Sequence, residues 1–265
     1  MRRLVVGLAI LSLLLPGQAG GAFELTPEAT RHIESGIDHM ANLDYTQARE
    51  AFARIRGHPG GDLLYTFLEG LVEIDETIQE DWGEEEKITK ALDRFLVQIK
   101  PVVARGEALL EATPENPDLL LAMGMVRGAK AAVDHARKNY LAALGGIRAS
   151  HRHLTRTLEV DQDRIDALWA LGLYDYSVSR VPLLLKPLVA VVLPPGGREQ
   201  GLERLKRAAR EGTFTRTPAA IALTRIFTGM EGEFAEALPY AEFLGNRYPG
   251  NPEFLFLLAF LYSET

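Results

Sequence analysis

The sequence predicts an all-α protein, an α-solenoid of antiparallel helix hairpins with about 11 helices. Three observations predict it. Strand signals are scarce, the one β-like run being Leu188-Val189-Ala190-Val191-Val192-Leu193. Helix starts recur: Thr26-Pro27, Asn116-Pro117, Thr217-Pro218 and Asn251-Pro252 each place a capping side chain before a proline. At the first helical position the missing proline N–H costs nothing. Apolar stripes at the helical period follow, as in Ile33, Ile37 and Met40.

The chain opens on Met1-Arg2-Arg3, continues through a nearly unbroken apolar run of 12 residues from Leu4 to Leu15, and passes Pro16-Gly17 into Ala19-Gly20-Gly21-Ala22. Basic, apolar and small, in that order, predict a cleavable secretory signal peptide over residues 1–22, cut after Ala22 with Ala19 as the alternative. Twelve helical residues reach about 18 Å, short of the ~30 Å hydrocarbon core, which disfavours an uncleaved anchor.

After the leader, helices are predicted at 27–42, 45–56, 62–80, 84–111, 117–137, 138–159, 163–180, 198–211, 218–230, 233–248 and 252–263. Breaks fall at Gly57-His58-Pro59-Gly60-Gly61, Asp81-Trp82-Gly83, Thr113-Pro114 and Pro194-Pro195-Gly196-Gly197. Pro101 is expected to kink the helix that holds it. Residues 23–265 then form one helical domain, interrupted by an apolar, proline-containing insert near 181–197.

A repeat runs through this domain. Thr217-Pro218 and Asn251-Pro252 lie 34 residues apart, as do Gly36 and Gly70. Tyr45, Ala48 and Phe52 place aromatic, small and aromatic residues in a second helix, and Phe234, Ala237 and Ala241 take equivalent places before Tyr248-Pro249. This pattern resembles the tetratricopeptide repeat (TPR), a 34-residue helix–turn–helix unit. The likeness is good over residues 30–75 and 217–263 and poor between them. Leu168-Trp169-Ala170-Leu171-Gly172-Leu173-Tyr174-Asp175-Tyr176, with Ser179-Arg180-Val181-Pro182, is similar to a group of poorly characterised exported bacterial proteins with this repeat. The resemblance implies a scaffold-type fold and names no partner. Gly36, Gly70, Gly124 and Gly172 fall mid-helix, where glycine costs about 1 kcal/mol against alanine. Close helix approach at each would offset that cost.

In such a fold the first helix of each pair lines a concave groove. The expected lining is Ile33, Ile37 and Met40; Phe67, Leu71 and Ile74; Leu121 and Met125; Trp169, Leu173 and Tyr176; Ala222 and Ile226; Phe256 and Phe260. Clamps for a peptide carboxylate need Lys, Arg and Asn there, and this lining has none. The candidate binding residues are Phe67, Leu71, Met125, Trp169, Leu173 and Tyr176, with Asp175 and Arg180 the densest polar and aromatic mix. The alternative for that pair is an internal salt bridge. The insert Val181 to Leu193 has three fates: packing into the groove, forming a lid over a ligand, or touching a membrane surface.

Lys plus Arg is 29 and Asp plus Glu 36, a net charge of −7, and Cys is 0. Loss of Arg2 and Arg3 with the leader takes −7 to −9, the wrong sign for gripping phosphate backbones. Without Cys there are no thiol nucleophiles, disulfides, thiolate metal sites or cysteine-linked lipids. His151 and His153 are two apart on one helix, on different faces, and are read as solvated side chains. No catalytic motif and no cofactor motif stands out. The expected function is therefore a non-catalytic periplasmic or secreted scaffold that binds protein partners of the cell envelope through an apolar groove. The alternative is a carrier of an apolar small molecule or lipid, accessory to envelope transport, with 181–193 as lid. No nucleic-acid partner is expected.

Overall fold

The structure, a computed structural model, describes residues 23–265 apart from Trp82, Leu183 and residues 185–189. The predicted signal peptide and the central part of the insert lie outside the described residues. Every regular element described is helical. In order these are α1 (Pro27–Ala41), α2 (Tyr45–Ala53) with a 3₁₀ turn at Arg54–Gly57, α3 (Gly61–Glu80), α4 (Glu85–Ala112), α5 (Pro117–Ala136) and α6 (Tyr140–Val160). Then come α7 (Ala167–Ser179), α8 (Arg198–Glu211), α9 (Arg216–Ile226) with a π turn at Phe227–Glu231, α10 (Phe234–Arg247) and α11 (Pro252–Glu264). Helices pack in sequence order as hairpins, α1 with α2 through α9 with α10, and α11 lies against α10.

Local chemistry accounts for most boundaries. The Thr26 hydroxyl accepts from the Ala29 N–H, Asn116 Oδ1 from Leu119 and Asn251 Oδ1 from Glu253, each ahead of a proline at the first helical position. Thr217-Pro218 behaves differently. α9 starts two residues early, after Thr215, and the Thr217 hydroxyl meets the Tyr248 hydroxyl at 2.5 Å instead. Its 34-residue spacing from Asn251-Pro252 is thus not a structural equivalence. α7 begins at Ala167 rather than 163 because the buried Asp166 carboxylate is engaged elsewhere. It accepts from the N–H groups of Phe214 and Thr215 and from the Thr215 hydroxyl, at 2.7 to 2.9 Å. α4 runs through Pro101 without a break. Gly60, at φ +78°, makes the left-handed turn into α3 that a side chain would resist.

Within the hairpins the mid-helix glycines set the spacing. Gly36 receives Phe52, Gly70 receives Phe95, Gly124 receives Leu154 and Gly172 receives Leu205, each from the second helix of its pair. A Cβ at any of the four would overlap its neighbour. Those four bulky side chains are almost fully buried. α7 and α8 come closest, because Gly172 faces Gly201 and each would push a Cβ into the other's backbone oxygen.

The two ends of the helical array meet. The Asp38 carboxylate of α1 accepts from the Arg247 guanidinium at 2.7 Å and from the Tyr248 hydroxyl at 2.6 Å. Asn42 Oδ1 accepts from the Gly250 N–H, and Asn251 donates to the Ala41 carbonyl. Phe254 and Tyr248 pack with Ala41 behind these polar contacts. The strap ahead of α1, residues 23–26, is tied to the start of α5: Asn116 donates to the Phe23 carbonyl and Asp118 accepts from the Leu25 N–H.

Gly172→Ala should therefore lower stability by about 1–3 kcal/mol, since the α7–α8 backbones must move apart. Gly145→Ala, at an exposed mid-helix position with open space around it, should raise stability by up to about 1 kcal/mol through helix propensity. Urea midpoints of the two variants check the pair.

Candidate functional site

First helices facing inward, with their ends joined by α1 and the α10–α11 turn, leave a central cavity of about 370 Å³. Its wall takes Ile33, Ile37 and Met40 from α1, Phe67 and Leu71 from α3, Leu121 and Met125 from α5, and Trp169 from α7. Pro218 and Ile221 of α9 and Phe254 of α11 complete the circuit, while Leu25 of the strap and Phe214 of the α8–α9 loop also line it. These side chains are apolar because each belongs to the inward stripe of its helix, and the wall continues directly into the main core.

Polarity appears toward one end. Along α3 the inward positions are Phe67, Leu71, Asp75 and Gln79, four residues apart, so the face turns from apolar to acidic to amide as it nears the surface. α9 repeats the change with Ile221 and then Arg225, and Glu253 at the start of α11 joins them. Arg225 donates to Glu253 at 2.7 Å. Asp75 Oδ2 accepts from the Tyr45 hydroxyl of α2 at 2.9 Å. Burial raises the Asp75 carboxyl above its ordinary range and the nearby Glu253 adds to this, against the opposing effects of Tyr45 and Arg225. The indole N–H of Trp169 is buried and has no acceptor among the described residues.

Of the eight candidates from the sequence, Phe67, Leu71, Met125 and Trp169 converge on this cavity. The other four do not line it. Leu173 and Tyr176 turn toward α8 and α9 and pack with Leu202, Leu205 and Leu223. Asp175 is buried and paired with Arg204 of α8, which makes an internal salt bridge, though with a partner other than Arg180. Burial raises the Asp175 carboxyl, and Arg204 works against that. Arg180 is exposed, 3.8 Å from Glu231.

The expected lining also slips in the last two first helices. α9 presents Thr217, Pro218, Ile221 and Arg225 instead of Ala222 and Ile226. α11 presents Phe254, while Phe256 is 76% exposed. A one-residue error turns a helix by about 100°, and a 34-residue spacing carried between helices that are not structural equivalents produces such errors. The described residues of the insert stay off the wall: Leu184 and Val191 are 91% and 85% exposed. His153, expected in solvent, is buried with Nε2 3.3 Å from Glu107, and burial lowers its pKa against the pull of that carboxylate. Asp75, Arg225 and Glu253 had no sequence signal as site residues, although Asp75 falls on the Phe67–Leu71 stripe and could have been found by extending it one turn.

No candidate transmembrane helix and no cluster of three metal-ligating residues occurs among the described residues. No family model matches the chain, and no curated protein does.

Outside the cavity, Glu231 gathers Tyr176 and Arg198. It accepts from the Tyr176 hydroxyl at 2.6 Å and from Arg198 at 2.6 and 3.0 Å. These hydrogen bonds, Arg198 first, hold its carboxyl at about 2, below the ordinary 4.5. A depressed carboxylate adds stability that is present above its ordinary range and is lost as pH falls toward its folded value. Glu231→Gln should therefore lower the melting temperature at pH 7. The difference from wild type should shrink between pH 4.5 and 2, as melting curves across that range would record.

Proposed function

We propose that the chain is an exported TPR-like helical-repeat protein that binds an apolar small molecule in its central cavity, as a carrier or sensor in the cell envelope. The supporting observation is the cavity itself, mostly apolar, polar toward one end, and drawn from both ends of the chain. Size separates the candidate occupants. An engineered cavity of about 150 Å³ takes benzene, so about 370 Å³ suits a ligand of roughly 15 carbon atoms by the same measure. Three turns of a partner helix about 10 Å across need more than about 1,000 Å³, which disfavours a helix laid in the groove. The assignment to an export route rests on the leader-like residues 1–22, and the TPR-like reading on the glycine-spaced hairpins. No catalytic step is assigned.

A scaffold role has one observation of its own. α11 leaves Leu255, Phe256, Phe260 and Tyr262 exposed, and a protein partner could use such a face.

Protein purified from its native envelope fraction should carry a lipid-like mass by native mass spectrometry. In Met125→Trp, and independently in Ile37→Trp, that mass should be lost while cooperative unfolding is kept, because both side chains border the cavity. A mass retained equally in both variants, or wild-type protein that carries none and takes up no apolar probe, overturns the carrier reading.

A further inference from the structure

Resting on the carrier reading, we infer that the ligand is a single-chain amphiphile whose head group is a hydrogen-bond donor, an amine or a hydroxyl, seated on Asp75 at the polar end of the cavity. The cavity has a direction. Phe67 and Leu71 face its apolar length, and one turn on, Asp75 and then Gln79 carry the same α3 face to the surface. A molecule that matches this gradient has an apolar chain and one polar end.

The groups at the mouth decide which polar end. Arg225 is already engaged by Glu253 at 2.7 Å. Asp75 uses Oδ2 for the Tyr45 hydroxyl, and Oδ1 has no donor among the described residues. The mouth thus offers two carboxylates, one guanidinium already paired, and a vacant acceptor on the half-buried carboxylate. An ammonium or hydroxyl completes that acceptor. A carboxylate or phosphate head would face Asp75 and Glu253 as a like charge in a partly desolvated site, two carboxylates against one guanidinium that it would have to share with Glu253. Asp75 is also the charged side chain set deepest along its face, so the recognition falls where the chain of the ligand ends.

Three ten-carbon probes that stay monomeric test this: decylamine, decan-1-ol and decanoate, by titration calorimetry on the full protein at pH 7. Decylamine should bind tightest, decan-1-ol next, and decanoate at least about tenfold more weakly than the amine. Met125→Trp should abolish the binding of all three, which places it in the cavity. Asp75→Asn should remove the preference of amine over alcohol. Because loss of the Tyr45 contact could unfold that variant, Gln79→Lys provides a second arm at an exposed position: it should weaken decylamine and strengthen decanoate. Decanoate binding as tightly as the amine, or an amine preference unchanged in a folded Asp75→Asn or Gln79→Lys, overturns the head-group assignment and leaves the cavity reading intact. If none of the three binds wild-type protein, the carrier reading falls with it.

Discussion

Gly36, Gly70, Gly124 and Gly172 hold successive helix pairs at a distance that only a missing side chain allows. Phe52, Phe95, Leu154 and Leu205 fill the space so left. Because the large residue comes from the second helix each time, the second helix turns its bulk toward its partner and the first helix keeps its other face free. That free face becomes the wall of the cavity. The glycines cost helix propensity of about 1 kcal/mol each, a cost offset by burying a phenylalanine or leucine that contributes about 1.5–3 kcal/mol. Much of the cavity's architecture thus depends on a tight, buried contact between the two helices of each pair.

This contact was legible in the sequence because its elements are local. A glycine in the middle of an apolar helical stripe, a proline after an oxygen-bearing side chain and a run of Gly and Pro between stripes all act over a few residues. They placed most helices within a few residues of their observed ends. Where the reading failed, a distant contact had overruled a local one. Thr217 looks like a cap, yet its hydroxyl is taken by Tyr248, 31 residues on, and the helix starts after Thr215. Asp166 looks like a residue inside a helix, yet it serves the backbone of Phe214 and Thr215. His153 looks like a surface histidine on a basic helix, yet Glu107 of the preceding hairpin draws it inside.

The candidate site divides the same way. Phe67, Leu71, Met125 and Trp169 could be found from stripe and glycine spacing. That the ends of the groove meet could not, since this rests on Asp38 meeting Arg247 and Tyr248. No short pattern marks an aspartate on an exposed helix for that role. The acidic and basic residues of the mouth went unread for a related reason: Asp75, Arg225 and Glu253 belong to three helices far apart in sequence and acquire a common meaning only after the ends meet.

The seam also sets a timetable. Its hydrogen bonds join residues 208 to 210 positions apart. At a synthesis rate of about 5–20 residues per second, α1 exists for roughly 10–40 s before Tyr248 and Asn251 are made. Through that interval its inward face, Ile33, Ile37 and Met40, can pack with α2 and α3, while the cavity wall from Pro218, Ile221 and Phe254 is still missing. The first wall of the cavity to be made is therefore closed off only when the last is, and a holding factor or rapid passage out of the compartment of synthesis would matter most in that interval.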